Sequence, residues 1–146
     1  MEPYKLLKKA YRLMNLYNTQ SKKPYTYAEG MTLYPAQSHM IEIIGDSEGI
    51  TLTEIAAEYR ITKGAVSQIV RFLCDKGLVI KKAAGTGGRR TGLYLSDPGR
   101  RIREEHRERH REMVEKVSAM MERLPPDTLV ILSDVADVIE ENIINL

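Results

Sequence analysis

Two helix-start signals eleven residues apart constrain this chain more than any other feature of it. Thr51 and Glu54 stand three apart, so the hydroxyl can accept from a first-turn amide while the carboxylate reaches back to the Thr51 amide, the arrangement of a capping box. Ile55, Ala56 and Tyr59 complete a short helix. After Arg60 and Ile61 a second start follows at Thr62, and its helix continues through Lys76 to a helix-stopping Gly77. Two short helices with so tight a turn between them form a helix-turn-helix unit.

The flanks are built around that unit. Pro3 suits a first helical turn, and Leu7, Ala10, Tyr11, Met14 and Tyr17 follow at helical spacing, predicting a first helix to about Asn18. Thr19 to Tyr34 has no period and reads as a loop or short extended connector. A second helix starts near Pro35, turns Met40, Ile41 and Ile44 inward and stops at Gly45. Beyond Gly77, Leu78 to Lys82 and Thr91 to Leu95 read as strands joined by a loop with three glycines, Ala83 to Arg90: a wing. Ser96 caps a long fifth helix that Pro125 and Pro126 end, and Asp127 or Thr128 opens a sixth. The expected fold class is mainly α with a small β-hairpin: a six-helix winged helix-turn-helix.

With 146 residues, 42% hydrophobic and 29% charged, the chain is long enough for one domain with a real core and short for two. No apolar run reaches the roughly 20 residues that cross a bilayer, and no signal peptide follows the lysine-rich start, so the expected location is the cytoplasm. The single Cys74 excludes an internal disulfide and a thiolate cluster. It reads as a small buried hydrophobe rather than a redox switch, having no resolving cysteine.

Charge becomes informative when divided along the chain. Residues 1–59 carry a formal −1, residues 60–103 carry +9 with Asp75 and Asp97 their only acids, and residues 104–146 carry −6. A polyanion is drawn to the middle third and repelled from the last, the asymmetry of a protein with one face on a phosphate backbone. A solvated basic surface has the same charge, so the side chains have to decide.

In the helix after Thr62, Val66, Ile69, Val70 and Leu73 form an inward stripe that leaves Lys63, Ser67, Gln68 and Arg71 on the opposite face. Lysine and arginine bind phosphate or guanine edges, glutamine binds adenine and serine contacts either, which is the chemistry of a major-groove reader. Gly64 and Ala65 near the helix start allow close approach to the backbone, the helix N-terminus attracts phosphate, and Thr62 there is counted among the DNA-binding residues. Arg89 and Arg90 close the glycine-rich loop, from which they can reach an adjacent minor groove, and Lys81 and Lys82 support phosphate contacts. An ordinary amphipathic surface helix is the alternative, and it does not explain the capped helix before this one or the basic hairpin after it.

From Leu33 to about Val117, in LYPAQSHMIEII, TLTEIAAEYRITKGAVSQIVRFLCDKGLVIK and RRTGLYLSDPGRRI, the chain resembles the MarR family of winged-helix regulators. The resemblance implies a homodimer whose first, fifth and sixth helices interlock, with a winged-helix lobe at about 35–97 and a dimerisation lobe at about 1–20 and 98–146. Two recognition helices roughly 34 Å apart would read a pseudo-palindromic duplex. Surplus apolar surface on the fifth helix, at Met113, Val117, Met120, Met121 and Leu124, points independently to a partner. One departure stands out: family wings carry an Asp two residues before the arginine that enters the minor groove, where this chain has Gly87 before Arg89.

Two effector classes are open. His106 and His110 are one helical turn apart in the stripe Ile102, His106, His110, Met113 and Val117, and the family places the helix bearing His39 near them. Two imidazoles at i and i+4 with a third suit zinc or another divalent metal, with Glu105, Glu29 or Glu42 as carboxylate ligands. Gln37-Ser38-His39 with Glu105-His106 and His110 is similar to the pattern of zinc-responsive family members, apart from Ser38 where those have an acid. The alternative is half-buried histidines bonded to Glu or Tyr. The other effector class is a small aromatic ligand beside Tyr25, Tyr27, Tyr34 and Met40.

No cofactor is expected for folding. An enzyme is disfavoured, because the chain has no phosphate-cradling glycine motif, nucleophile elbow or His-Glu-x-x-His. A winged helix used only for protein contacts is the remaining rival, and such a module needs neither the +9 segment nor the polar recognition face.

Overall fold

The computed structural model describes residues 2–84 and 90–144. In chain order these form α1 (Pro3–Gln20), β1 (Tyr25–Thr26), a 3-10 turn (Ala28–Gly30), β2 (Thr32–Leu33), α2 (Pro35–Asp46), α3 (Leu52–Glu58), α4 (Lys63–Asp75), β3 (Val79–Ala84), β4 (Arg90–Leu95), α5 (Asp97–Met121) and α6 (Pro126–Ile144). This is the winged-helix order, with six helices and the β3–β4 hairpin between α4 and α5. The chain divides into two compact units, residues 1–106 and 107–146.

The core of the first unit is made where the helix-turn-helix meets the sheet. Ile41 and Ile44 of α2, Ile55 of α3, Val66, Val70 and Leu73 of α4, Leu78, and Leu33 of β2 are completely buried, joined by Val79, Leu93, Leu95 and Ile102. Each such side chain contributes about 1.5–3 kcal/mol by leaving water. The capping box forms as its spacing predicts: Glu54 N donates to Thr51 Oγ1 at 3.2 Å, and Thr51 N donates to Glu54 Oε2 at 2.8 Å. Arg60 closes the turn between α3 and α4 with φ of +50°, and Ile61 N donates to Ala56 O at 3.2 Å. Ala65 N donates to Thr62 Oγ1 at 3.2 Å, capping α4, and Gly77 ends the helix region at φ +69°.

The hairpin is longer than expected. β3 and β4 pair antiparallel from Val79↔Leu95 to Ala84↔Arg90, so Arg90, read as a loop residue, belongs to a strand. The outer edge of β4 is also bonded, since Gly49 N donates to Leu93 O and Leu93 N to Ile50 O, at 2.8 and 2.9 Å. The segment after α2 therefore ties the wing to the helix-turn-helix. Ser96 caps α5, its hydroxyl accepting from Gly99 N at 3.1 Å and donating to Gly77 O at 2.6 Å. A Cβ on Gly99 would lie 2.1 Å from Leu78 O, so only glycine lets α5 start this close to β3.

The connector 19–34 holds a two-residue hairpin, Tyr25↔Leu33 and Thr26↔Thr32. Gly45, expected to stop the second helix, instead lies inside α2. A Cβ there would meet the Arg103 side chain at 2.5 Å, so its bare backbone makes a bed on which Arg103 of α5 reaches Glu42 and Asp46 of α2.

In the second unit, α6 begins at Pro126, one residue before the expected start, because proline at the first helical position gives up an amide that has no partner there. Arg111 pairs with Glu108 and Glu115, and Lys116 with Glu112, at helical spacing along α5. No described residue from 107 to 142 is buried. No helix of the described residues is long and apolar enough to cross a membrane.

Candidate nucleic-acid interface

Helix α4 divides cleanly by side-chain chemistry. Val66, Val70 and Leu73 are wholly buried, while Lys63, Gly64, Ser67, Gln68 and Arg71 are all exposed, as is Thr62 before them. At about 100° per residue the exposed set spans an arc of roughly 140° opposite the buried one. No acidic residue stands in the first turn of α4. A side chain on Gly64 would meet nothing of this chain within 4 Å, so that end of the helix is open to a close approach. Thr62 is the exception in the set, because its hydroxyl is already used as the cap acceptor.

The wing cations have separate environments. Lys81 is exposed and its charge acts on Cys74 at the end of α4. Lys82 lies over the Tyr94 ring, 5.3 Å from its centroid, and its charge acts on Glu48. Arg90 Nη2 donates to Glu54 Oε1. Arg89 and Gly87 lie outside the described residues. Burial alone would raise the Glu48 pKa, but hydrogen bonds from Arg100 and the Leu95 amide outweigh it and hold the carboxyl below its ordinary value. Glu54 is lowered by the Thr51 amide first, then by the Thr51 hydroxyl and Arg90. Burial pushes the Cys74 thiol up, which suits a packing residue better than a reactive thiolate.

The expected effector residues are distributed differently. His106 is buried, and its Nδ1 is 2.8 Å from the Tyr27 hydroxyl. The His39 ring meets it edge-on at 5.8 Å between centroids, and Tyr17 stacks on His39 at 6.3 Å. Glu105 Oε2 accepts from the Ala28 amide at 2.8 Å. His110 is partly exposed and belongs to the second unit. Among the described residues no three His, Cys, Asp or Glu side chains form a group that could hold a metal. Of the expected donors, the rings of His39 and His106 meet, and the side chain of Glu29 lies outside the described residues. Of the aromatic-ligand set, Tyr27 and Met40 are core residues, Tyr25 packs edge-on against Tyr27, and Tyr34 is exposed before α2.

Sequence reasoning did not anticipate the partners of Arg90 and Arg103. The first left a signal, since the capping box uses only one of the two Glu54 oxygens; the second left none, because Glu42 and Arg103 are 61 residues apart.

Comparison with known proteins agrees with this geometry. A curated relative from Thauera aromatica, a transcriptional regulatory protein for the hcr operon, is 26% identical over 80 residues, 55% of this chain. The match spans about half of that relative, 47% of its length. The adhesin competence repressor AdcR of Streptococcus pyogenes superposes with a TM-score of 0.70 at 20% identity, covering 94% of this chain and 97% of the other. ZitR of Lactococcus lactis in complex with DNA gives 0.67 at 15% identity, covering 98% and 99%. FabT of Streptococcus pneumoniae in complex with DNA gives 0.62 at 18%, covering 97% and 95%. These likenesses show the winged-helix fold. Residues 31–90, which carry α2, the helix-turn-helix and β3, match the family model described as MarR family.

Proposed function

We propose that this chain is a sequence-specific double-stranded DNA-binding regulator of transcription that acts as a homodimer. The observation that carries the reading is α4: an exposed arc of Lys63, Ser67, Gln68 and Arg71, free of acids in its first turn, opposite a fully buried face and within the +9 segment. That arc enters the major groove, Gly64 admits the phosphate backbone, Lys81 and Lys82 add phosphate contacts, and Arg89 and Arg90 serve the minor groove. Support for DNA as the partner comes from relatives solved in complex with DNA. Repression is the sign we assign, in line with the repressor AdcR.

The homodimer rests on exposed apolar surface. Leu7, Tyr11 and Leu13 of α1, Met113, Val117 and Met120 of α5, and Val130, Ile131 and Val138 of α6 are all at least 43% exposed. So much apolar surface on three helices is better covered by a second copy than by water. The winged-helix lobe is then about 35–97 and the dimerising lobe about 1–20 and 98–146, in a cytoplasmic, non-enzymatic protein.

A metal effector is the second reading, favoured by the meeting of the His39 and His106 rings and by the zinc-responsive relative ZitR. The DNA-binding reading stands without a metal, which would act on it as an effector. An organic ligand beside the tyrosines is the other effector class.

Fluorescence anisotropy with chelator-treated protein, with and without stoichiometric zinc, tests both readings. DNA from upstream of the chain's own gene and a scrambled duplex are the ligands. Arg71→Ala or Gln68→Ala is expected to cost about 1–3 kcal/mol on the bound sequence and little on scrambled DNA, whereas Lys81→Ala weakens both alike. Equal losses on both duplexes for all three variants would refute the assignment. A zinc-dependent shift above about tenfold that His106→Ala abolishes establishes metal control. Failure to bind DNA, with no retention on heparin, would favour a protein-interaction module.

A further inference from the structure

The two oxygens of Glu54 have different partners. Oε2 accepts from the Thr51 amide and closes the cap of α3, while Oε1 accepts from Arg90 Nη2. Arg90 is the first residue of β4 and pairs with Ala84, the last of β3. The ion pair therefore grips the hairpin at its far end, away from the Val79↔Leu95 end that adjoins the core. At the core end Glu48 does the corresponding work, accepting from the Leu95 amide at 3.3 Å and pairing with Arg100 at 2.7 Å. Glu48, Glu54, Glu58 and Arg90 line one open cleft of about 510 Å³ between the helix-turn-helix and the wing. An ordinary exposed ion pair is weak partly because both side chains must be ordered to make it. Here the cap has already ordered the carboxylate.

We propose that Glu54 is a positioning residue for DNA reading. Through Arg90 it sets the angle of the β3–β4 hairpin against α3 and α4, so that hairpin and recognition helix present their cations to one duplex in a fixed register. The proposal rests on the DNA-binding reading above. A purely electrostatic role for Glu54 has the opposite signature, because removing a negative charge from a cationic face strengthens binding to every DNA sequence alike.

Glu54→Gln separates the two duties of the side chain. Glutamine at this position still accepts from the Thr51 amide and keeps the capping box, but it removes the charge facing Arg90. Wild type, Glu54→Gln, Arg90→Gln and the double variant are titrated into two ligands: the duplex that the wild-type chain selects from a random-sequence pool, and poly(dI-dC). Glu54→Gln is expected to lose about tenfold in selectivity between the two, Arg90→Gln at least as much because it also removes a minor-groove cation, and the double variant no more than Arg90→Gln alone, as when Glu54 acts only through Arg90. Backbone amides of 79–84 and 90–95 should exchange hydrogen faster in Glu54→Gln, with those of α3 unchanged. Unchanged selectivity with uniformly tighter binding overturns the proposal, and so does an additive loss in the double variant. If the wild type selects no duplex, it is the DNA-binding reading that fails. The exchange measurement then still decides the coupling, and equal hairpin exchange in wild type and Glu54→Gln overturns it.

Discussion

The two units of this chain solve the problem of apolar surface in different ways. Residues 1–106 bring residues from β2, α2, α3, α4, β3, β4 and α5 into one core, with eight large side chains at zero exposure. Residues 107–146 carry comparable apolar side chains on α5 and α6, yet none of those described is buried, and Met120 is 71% exposed. The first unit has a core of its own, with α1 outside it; the described residues of the second have none. The charges differ as well. In the first unit carboxylates bridge elements distant in sequence, as Glu48 to Arg100 and Glu54 to Arg90. The described pairs of the second run along one helix at i,i+3 or i,i+4, where each is worth only about 0.2–0.5 kcal/mol. The lesson is that burial and charge pairing go together: the unit with a core also has ion pairs between distant elements, and the described pairs of the unit without one stay along a single helix.

The comparison breaks most visibly in the core. Leu73→Ala removes a fully buried side chain and should cost about 2–5 kcal/mol in urea unfolding. A loss within a few tenths of a kcal/mol would mean that this core is not close-packed. Next in size is Val117→Glu, which puts a charge on the exposed apolar side of α5. Sedimentation should show the dimer dissociation constant raised about a hundredfold, close to 2.7 kcal/mol, with the near-ultraviolet signature of the first unit retained. An unchanged sedimentation coefficient would remove that face from the interface.

The smallest effect sharpens the electrostatic contrast. Glu48 and Glu54 have folded-state pKa values below the ordinary 4.5. A lowered value contributes stability that is complete above the unfolded pKa and is lost as the pH falls through the folded one. Acidification below about pH 4.5 should therefore lower the wild-type melting temperature more than that of Glu48→Gln. Parallel curves for the two proteins would show that the Glu48 bridge contributes nothing to the fold.

Much of the fold was legible because its signals are local. The Thr51-Glu54 box, the Thr62 cap, the Gly77 stop and the Ser96 cap involve groups three or four residues apart, and all occur where their spacing placed them. The exposed arc of α4 followed from the same periodicity. Gly45 was misread because a glycine near a helix end has two uses, to stop the helix or to admit a neighbour, and the neighbour was Arg103, far along the chain. The histidines were grouped by helical spacing, with a bond to Glu or Tyr as the alternative; His106 does bond to a tyrosine, but that residue is Tyr27, in a connector with no period to place it.

By itself, then, the sequence determined the order of elements and the inward and outward faces of α4, since these depend on short-range backbone hydrogen bonds and on which side chains avoid water. Tertiary structure alone decided which polar groups meet: Glu54 with Arg90 across 36 residues and Tyr27 with His106 across 79. Such partners are chosen by where packing brings two elements together, and no local periodicity carries that distance.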